Sequence, residues 1–341
     1  MDNTQLKNGE SKMPDLLTVS PSPHIRNGIT TRRINIDVVI AMLPALVWAV
    51  YVFGFRSLLV VLVSVASCVI FEALFELIVR RPVTVLDFSA VISGILLGFN
   101  LPATVPLWIP IAGGAFAMIV AKGVFGGLGK NIVNPVLAAR VFLFSWTRVI
   151  NTFSEPFSAL PVFSFSLEEA DIVASATPLS VMKNGALPDF SLVDMFLGTK
   201  SGCIGEVSGI LIAVGGIYLL VRKVISWHIP VAYLGTVMLL TFIFPPSGTD
   251  ALQYMLYQVS SGGLILAAFF MATDYVTSPT TSSGKLIFGI GCGAITVFIR
   301  YFGGYPEGVS FSILIMNLLV GYIDKLTKPK RFGGVPKNAK Q

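Results

Sequence analysis

A chain of 341 residues that is 54% hydrophobic and only 12% charged is not a soluble globular domain, where about 25% of residues carry charge. It reads as a polytopic membrane protein. The net charge of +6 is no nucleic-acid signal, because the basic residues of such proteins collect on the cytoplasmic side of the bilayer.

Residues 1–35 are polar and have no apolar centre, so they read as a cytoplasmic tail rather than a cleaved signal. Five apolar segments follow at 36–55, 57–79, 88–101, 107–124 and 136–150. A polar interval, 151–202, separates them from five more at 203–221, 229–244, 259–273, 286–302 and 309–323. A spanning helix takes about 20 apolar residues, so the third and eighth segments are short enough to be broken or half-helices. Residues 324–341 form a basic tail. The expected fold class is an all-α polytopic membrane protein of ten transmembrane segments.

Charge orients the segments. With the N-terminus in the cytoplasm, 18 of the 24 Lys and Arg residues fall inside. Arg56, Arg148, Lys183, Lys200 and Arg300 fall outside, and Arg140 lies within a helix. That bias puts both termini in the cytoplasm and the 151–202 loop outside.

The two membrane halves, 36–150 and 203–323, resemble each other at the offset that carries Pro102 onto Pro279. At this offset Thr104 meets Thr281, Gly114 meets Gly291, and Ala117 meets Ala294. Phe125-Gly126-Gly127 meets Phe302-Gly303-Gly304, and Leu137 meets Leu314. A shift of five spans is odd, so the repeats are inverted. Inverted repeats with short, Gly/Pro-interrupted segments place a site between the halves.

Several residues are candidates for chemistry. Thr177 before Pro178 reads as a helix N-cap with proline at the first helical position. Glu72 and Glu76 share a helix face, read as snorkelling or facing a loop at the inner end. Asp87, Asp274 and Arg140 are ionisable groups at or within apolar segments, where charge is expensive. Asn131 and Asn134 sit in a Gly-rich turn where Asn caps the fifth helix. Gly289, Gly291 and Gly293 read as small-residue helix packing; they follow no strand and make no dinucleotide fold. Cys68, Cys203, Cys292, His24 and His228 are too far apart to ligate a metal.

Three stretches carry a family resemblance: Ser22-Pro23-His24-Ile25-Arg26 before the first helix, Gly126-Gly127-Leu128-Gly129-Lys130-Asn131-Ile132-Val133-Asn134-Pro135, and Asp171-x-x-Ala174-Ser175-Ala176-Thr177. With nearly the whole chain, they resemble the D subunits of Rnf ferredoxin:NAD oxidoreductase complexes and their relatives, the B subunits of sodium-translocating NADH:quinone oxidoreductases. The family's signature is Asp-x-x-Ser/Thr-Gly-Ala-Thr. Here Ala174 stands at the Ser/Thr place and Ser175 at the Gly place. The resemblance implies FMN joined covalently through its phosphate to Thr177 by a flavin transferase, with Asp171 helping to present the loop and Ser175 beside the attachment point. It also implies a non-covalent riboflavin at Asn131 and Asn134.

The implied partners are the other Rnf subunits: a second covalent-FMN subunit, membrane iron–sulfur subunits, and the NADH- and ferredoxin-side subunits. The implied role is electron transfer in a bacterial cytoplasmic (inner) membrane, coupled to sodium or proton translocation. A tether of this kind replaces affinity by effective concentration. No catalytic side chain, metal ligand or nucleic-acid partner is expected. A solute channel or transporter built on the inverted repeat, or an inert membrane scaffold, remains open from the residues alone.

Overall fold

The computed structural model describes residues 30–329, apart from 128, 159, 161, 163–175, 184, 186, 207 and 247. Among these residues the chain is helical, with no strand. The first five elements are α1 (Thr31–Phe53), α2 (Phe55–Ile78), α3 (Ser89–Phe99), α4 (Trp108–Ala115, continued by π-helical turns over Phe116–Gly123) and α5 (Pro135–Leu143). The short α6 (Thr147–Ile150), α7 (Pro178–Lys183) and α8 (Leu192–Leu197) lead to the second half. That half holds α9 (Gly209–Val221), α10 (His228–Ile243), α11 (Ala251–Ser260), α12 (Leu264–Leu266, continued by a π-helical stretch over Ala267–Met271), α13 (Ser282–Phe302) and α14 (Val309–Thr327). Helices α1, α2, α13 and α14 are long and apolar enough to cross a membrane; α11 with the α12 stretch makes one more, bent by 64°. The shorter apolar helices fill in between. The chain is a multi-pass membrane protein.

Some boundaries differ from expectation. Helix α1 starts at Thr31, so residues 31–35 of the expected tail are already helical. The fifth segment is not one helix: α5 ends at Leu143, a 3-10 turn covers Phe144–Trp146, and Trp146 leaves helical geometry at φ −109°, ψ 46°. The eighth segment begins earlier, at Ala251, where Asp250 caps it by accepting from Gln253 N at 3.2 Å. It then breaks at Gly262 and Gly263, both left-handed at φ 68° and 62°, a conformation glycine adopts without steric cost.

Close helix approach explains the small residues. A Cβ on Gly94 of α3 would lie 2.4 Å from Val65 Cα of α2. On Gly293 of α13 it would lie 2.7 Å from Thr236 Cβ of α10. Tyr233 Oη, Thr296 Oγ1 and Ser312 Oγ then link α10, α13 and α14 by buried hydrogen bonds of 2.7 to 3.1 Å.

The offset that aligned the halves has a structural echo. It carries Arg140 onto Asn317 and Asn100 onto Thr277. Arg140 Nη1 donates to the carbonyl of Asn100, and Asn317 Nδ2 donates to the carbonyl of Thr277 at 2.7 Å. In each half, the last helix is thus tied to the end of the broken third segment by one buried side chain.

Buried charge departs from the simple loop picture. Arg56, Lys200 and Arg300, expected as outer loop charges, are buried. Arg56 donates to Val105 O and Val162 O at 2.9 and 3.0 Å. Lys200 donates to Ser260 O, and Arg300 to Gln258 O and Ser261 O at 2.6 and 3.0 Å. The carbonyls at a helix C-terminus lack intrahelical donors, and cations suit that end of the macrodipole. Lys200 and Arg300 therefore close the broken end of α11. Glu72 is neither snorkelling nor facing a loop: it is buried in a salt bridge with Lys122. Glu76 does face a loop, where it accepts from Thr84 N at 2.8 Å.

Candidate functional site

Two cavities hold Thr177 with Arg140, and Asn131 with Asn134 and Asp274, while Glu72, Glu76 and Asp87 line a third. The first is lined by Thr177, Arg140, Phe144, Lys200, Cys203, Glu206, Tyr305 and Glu307, among others. Thr177 precedes α7, and its Oγ1 accepts from Ser180 N at 3.3 Å. That is the capping geometry expected of Thr before Pro178. Pro178 and Leu179 are buried while Thr177 is half-buried, so the hydroxyl sits at the cavity edge on an anchored backbone. Asp171 and Ser175 lie outside the described residues.

Arg140 forms the floor. Besides its bond to the Asn100 carbonyl, it contacts Asn100 Oδ1 at 3.1 Å, pairs with Glu307, and lies 3.6 Å from Cys203 Sγ. Its guanidinium carbon lies 5.9 Å from the centroid of the Phe144 ring, and that ring stacks on Tyr305 at 5.3 Å. Its Nε is buried and has no hydrogen-bond partner among the described residues. Lys200 adds a second buried cation. Burial pushes its amine down to about 8, against the pull of Glu206 and with the push of Arg300. At the α11–α12 break, a Cβ on Gly263 would lie 3.4 Å from Glu206 Oε1 and 3.8 Å from Glu307 Oε1. These are ordinary contact distances; it is the left-handed backbone of Gly262 and Gly263 that glycine serves, and it carries the chain past these carboxylates.

This donor set fits an anionic aromatic group carried on Thr177. A reachable hydroxyl stands beside two buried cations, one with an unused N–H, and beside two stacked rings. Guanidinium groups suit phosphate and stack on aromatic faces.

The second cavity is lined by Asn131, Asn134, Ser89, Lys122, Phe269, Asp274 and Tyr275, among others. Asn134 caps α5: its Oδ1 accepts from Val136 N at 3.0 Å and Leu137 N at 3.4 Å, and Pro135 follows at the first helical position. Its Nδ2 donates to Met271 O at 3.2 Å. Asn131 Nδ2 donates to Val133 O at 3.3 Å within the loop. The capping reading and the cavity-lining reading therefore hold together, with the Asn134 amide already engaged. Lys122, paired to Glu72, also donates to Ser89 Oγ at 2.8 Å, and Ser89 Oγ donates to Asp87 Oδ1 at 2.6 Å. Asp274 accepts from Thr277 Oγ1 at 3.0 Å. Asp87 and Asp274 thus organise turns beside this cavity. Among the described residues, no three His, Cys, Asp or Glu side chains group as metal ligands.

The structure unites Thr177 with Arg140, two residues that the sequence offers separately. Lys200, Glu206 and Glu307 are not singled out by the sequence. Lys200 and Glu307 sit in loop stretches where one more charge carries no pattern, whereas Glu206, inside the apolar segment 203–221, is an ionisable group that the same rule could have singled out; the break of α11 brings the three to one cavity.

Comparison with known proteins identifies the family. A model of the NQR2, RnfD, RnfE family matches residues 18–333. The chain is 45% identical over 324 residues to the D subunit of the Na(+)-translocating ferredoxin:NAD(+) oxidoreductase complex of Acetobacterium woodii, covering 93% of this chain and 95% of that one. It is 39% identical over 333 residues to the D subunit of the proton-translocating ferredoxin:NAD(+) oxidoreductase complex of Clostridium ljungdahlii, covering 94% and 97%. To the D subunit of the ion-translocating oxidoreductase complex of Stutzerimonas stutzeri it is 36% identical over 324 residues, covering 88% and 92%. With the family model spanning most of its length, the chain belongs to the NQR2, RnfD, RnfE family.

Proposed function

We propose that this chain is the D-type membrane subunit of an ion-translocating ferredoxin:NAD oxidoreductase complex, carrying FMN through a phosphoester on Thr177. The observation that carries the reading is the placement of the Thr177 hydroxyl at the edge of a cavity floored by Arg140 and Lys200. The flavin, when bound, supplies one- and two-electron transfer, and the protein supplies position and electrostatics. The α7 cap fixes the attachment point. Phe144 and Tyr305 present ring faces, and the two buried cations offset added negative charge. Arg140 and Glu307 join α5 to the loop before α14, one element from each repeat, so a change of charge in this cavity acts across the boundary between repeats. Moving one elementary charge against the membrane potential takes about 2.3 kcal/mol per 100 mV, a load within reach of rearranging one buried ion pair.

The Asn131 cavity takes a second, non-covalent flavin in this reading, riboflavin at the cytoplasmic face. In this reading, with repeats 36–150 and 203–323, one flavin lies near each side of a bacterial cytoplasmic membrane, both termini inside and the Thr177 loop outside. The remaining Rnf subunits and a flavin transferase are the partners.

The transporter reading is disfavoured by the helix breaks. In transporters with broken helices, the freed C-terminal carbonyls coordinate the cation. Here the corresponding carbonyls of Asn100, Gln258, Ser260 and Ser261 accept from Arg140, Arg300 and Lys200.

The test is in-gel flavin fluorescence of the denatured polypeptide, made in cells that possess the transferase. The wild-type band is expected to fluoresce and Thr177→Ala to be dark. A fluorescent Thr177→Ala band would move the attachment elsewhere.

A further inference from the structure

Arg140 and its repeat equivalent Asn317 perform the same structural task with different charge. Each is buried, and each donates to the backbone carbonyl at the end of its repeat's third segment, Asn100 or Thr277. Asn317 shows that a neutral amide suffices for the tie. A buried guanidinium is costly to desolvate, and here it needs the Glu307 carboxylate, with Glu206 also close, to hold it. The charge is thus not explained by the tie. It lies instead in the cavity that Thr177 borders, over the Phe144 ring and with Nε unpartnered among the described residues.

We propose that Arg140 is the potential-setting residue of this cavity. Its positive charge, not its hydrogen bonds, raises the redox potential of a flavin held on Thr177, because a nearby cation stabilises the form carrying the added electron. Glu307 holds that effect in check. The asymmetry between Arg140 and Asn317 makes the Thr177 end the more favourable place for an electron. This inference rests on the attachment of flavin to Thr177. Arg140 is a positioning and tuning residue, with no bond-making role.

The experiment is a reductive titration of the Thr177-bound flavin in the purified complex, followed by its visible spectrum against reference dyes. Arg140→Asn copies the residue found at the equivalent position and keeps a donor for the Asn100 carbonyl. It is expected to retain the fluorescent band and to weaken reduction at least tenfold, a drop of about 59 mV for a one-electron step. Glu307→Gln is expected to shift the potential the opposite way, and Arg140→Lys to stay near wild type. Unmoved potentials, or shifts of the same sign in Arg140→Asn and Glu307→Gln, overturn the proposal. If Arg140→Asn fails to accumulate, Glu307→Gln alone decides: no upward shift overturns it. A wild-type chain without fluorescence removes the Thr177 attachment and this inference with it, whereas a fluorescent chain with unmoved potentials removes the inference alone.

Discussion

At the scale of single residues, the cavity beside Thr177 is governed by cations that have left water. Lys200 is 2% exposed and donates to the last carbonyl of α11. Its amine is pushed down to about 8 by burial, with Arg300 lowering it further and Glu206 raising it. The unfolded chain keeps this proton up to the ordinary lysine value of about 10.4. Between those values the unfolded state binds more protons, so stability rises with pH across that window. Below about 8 both states are protonated, and the full cost of burying the charge is present. The thermal midpoint of the detergent-solubilised protein is expected to climb from about pH 7.5 to about pH 9.5, and Lys200→Met to flatten that climb. An equal slope in the variant would assign the rise to another group.

At the scale of elements, sequence reading and structure part where helices stop. Hydropathy located the long helices α1, α2, α13 and α14, because a bilayer demands an uninterrupted apolar run. It also flagged the third and eighth segments as too short to span. It did not find the start of α11 at Ala251, where Gln253, Tyr254 and Gln258 give the helix a polar face that hydropathy discounts. Nor did it find the partnership of Glu72 with Lys122, since a contact between α2 and the π-helical end of α4 leaves no local pattern. That pair holds α2 to α4, and breaking one side of a buried pair costs about 3–5 kcal/mol. Glu72→Gln is expected to lower the thermal midpoint sharply, and Glu72→Met with Lys122→Met to recover most of the loss. Failure of the double variant to recover would mean that the charge serves more than helix packing. Glycine contacts make a second test. Gly94→Leu drives a side chain into the backbone of Val65, and overpacking of this kind costs about 1–3 kcal/mol. The variant is expected to accumulate poorly, while Gly235→Leu on α10, which meets nothing within 4 Å, accumulates normally.

At the scale of the whole molecule, the halves were legible in the sequence as an alignment, and the structure adds a chemical reason for them. Arg140 with Asn100 and Asn317 with Thr277 are the same tie made twice. Thr177 was legible as a cap, and the structure shows that cap; its role as an attachment point is what the family resemblance implies. Its cavity was not legible, because Lys200, Glu206 and Glu307 meet only around the 64° bend that follows α11. In the proposed function, electron transfer through this molecule depends on the Thr177 hydroxyl carrying the redox group. That is read most directly from the mass of the peptide containing Thr177, taken from protein made in cells with an active flavin transferase. The peptide is expected to be heavier by one FMN less one water, with fragmentation placing the addition on Thr177. A bare peptide mass, in a preparation whose other covalent-flavin subunit is fully modified, would refute the attachment.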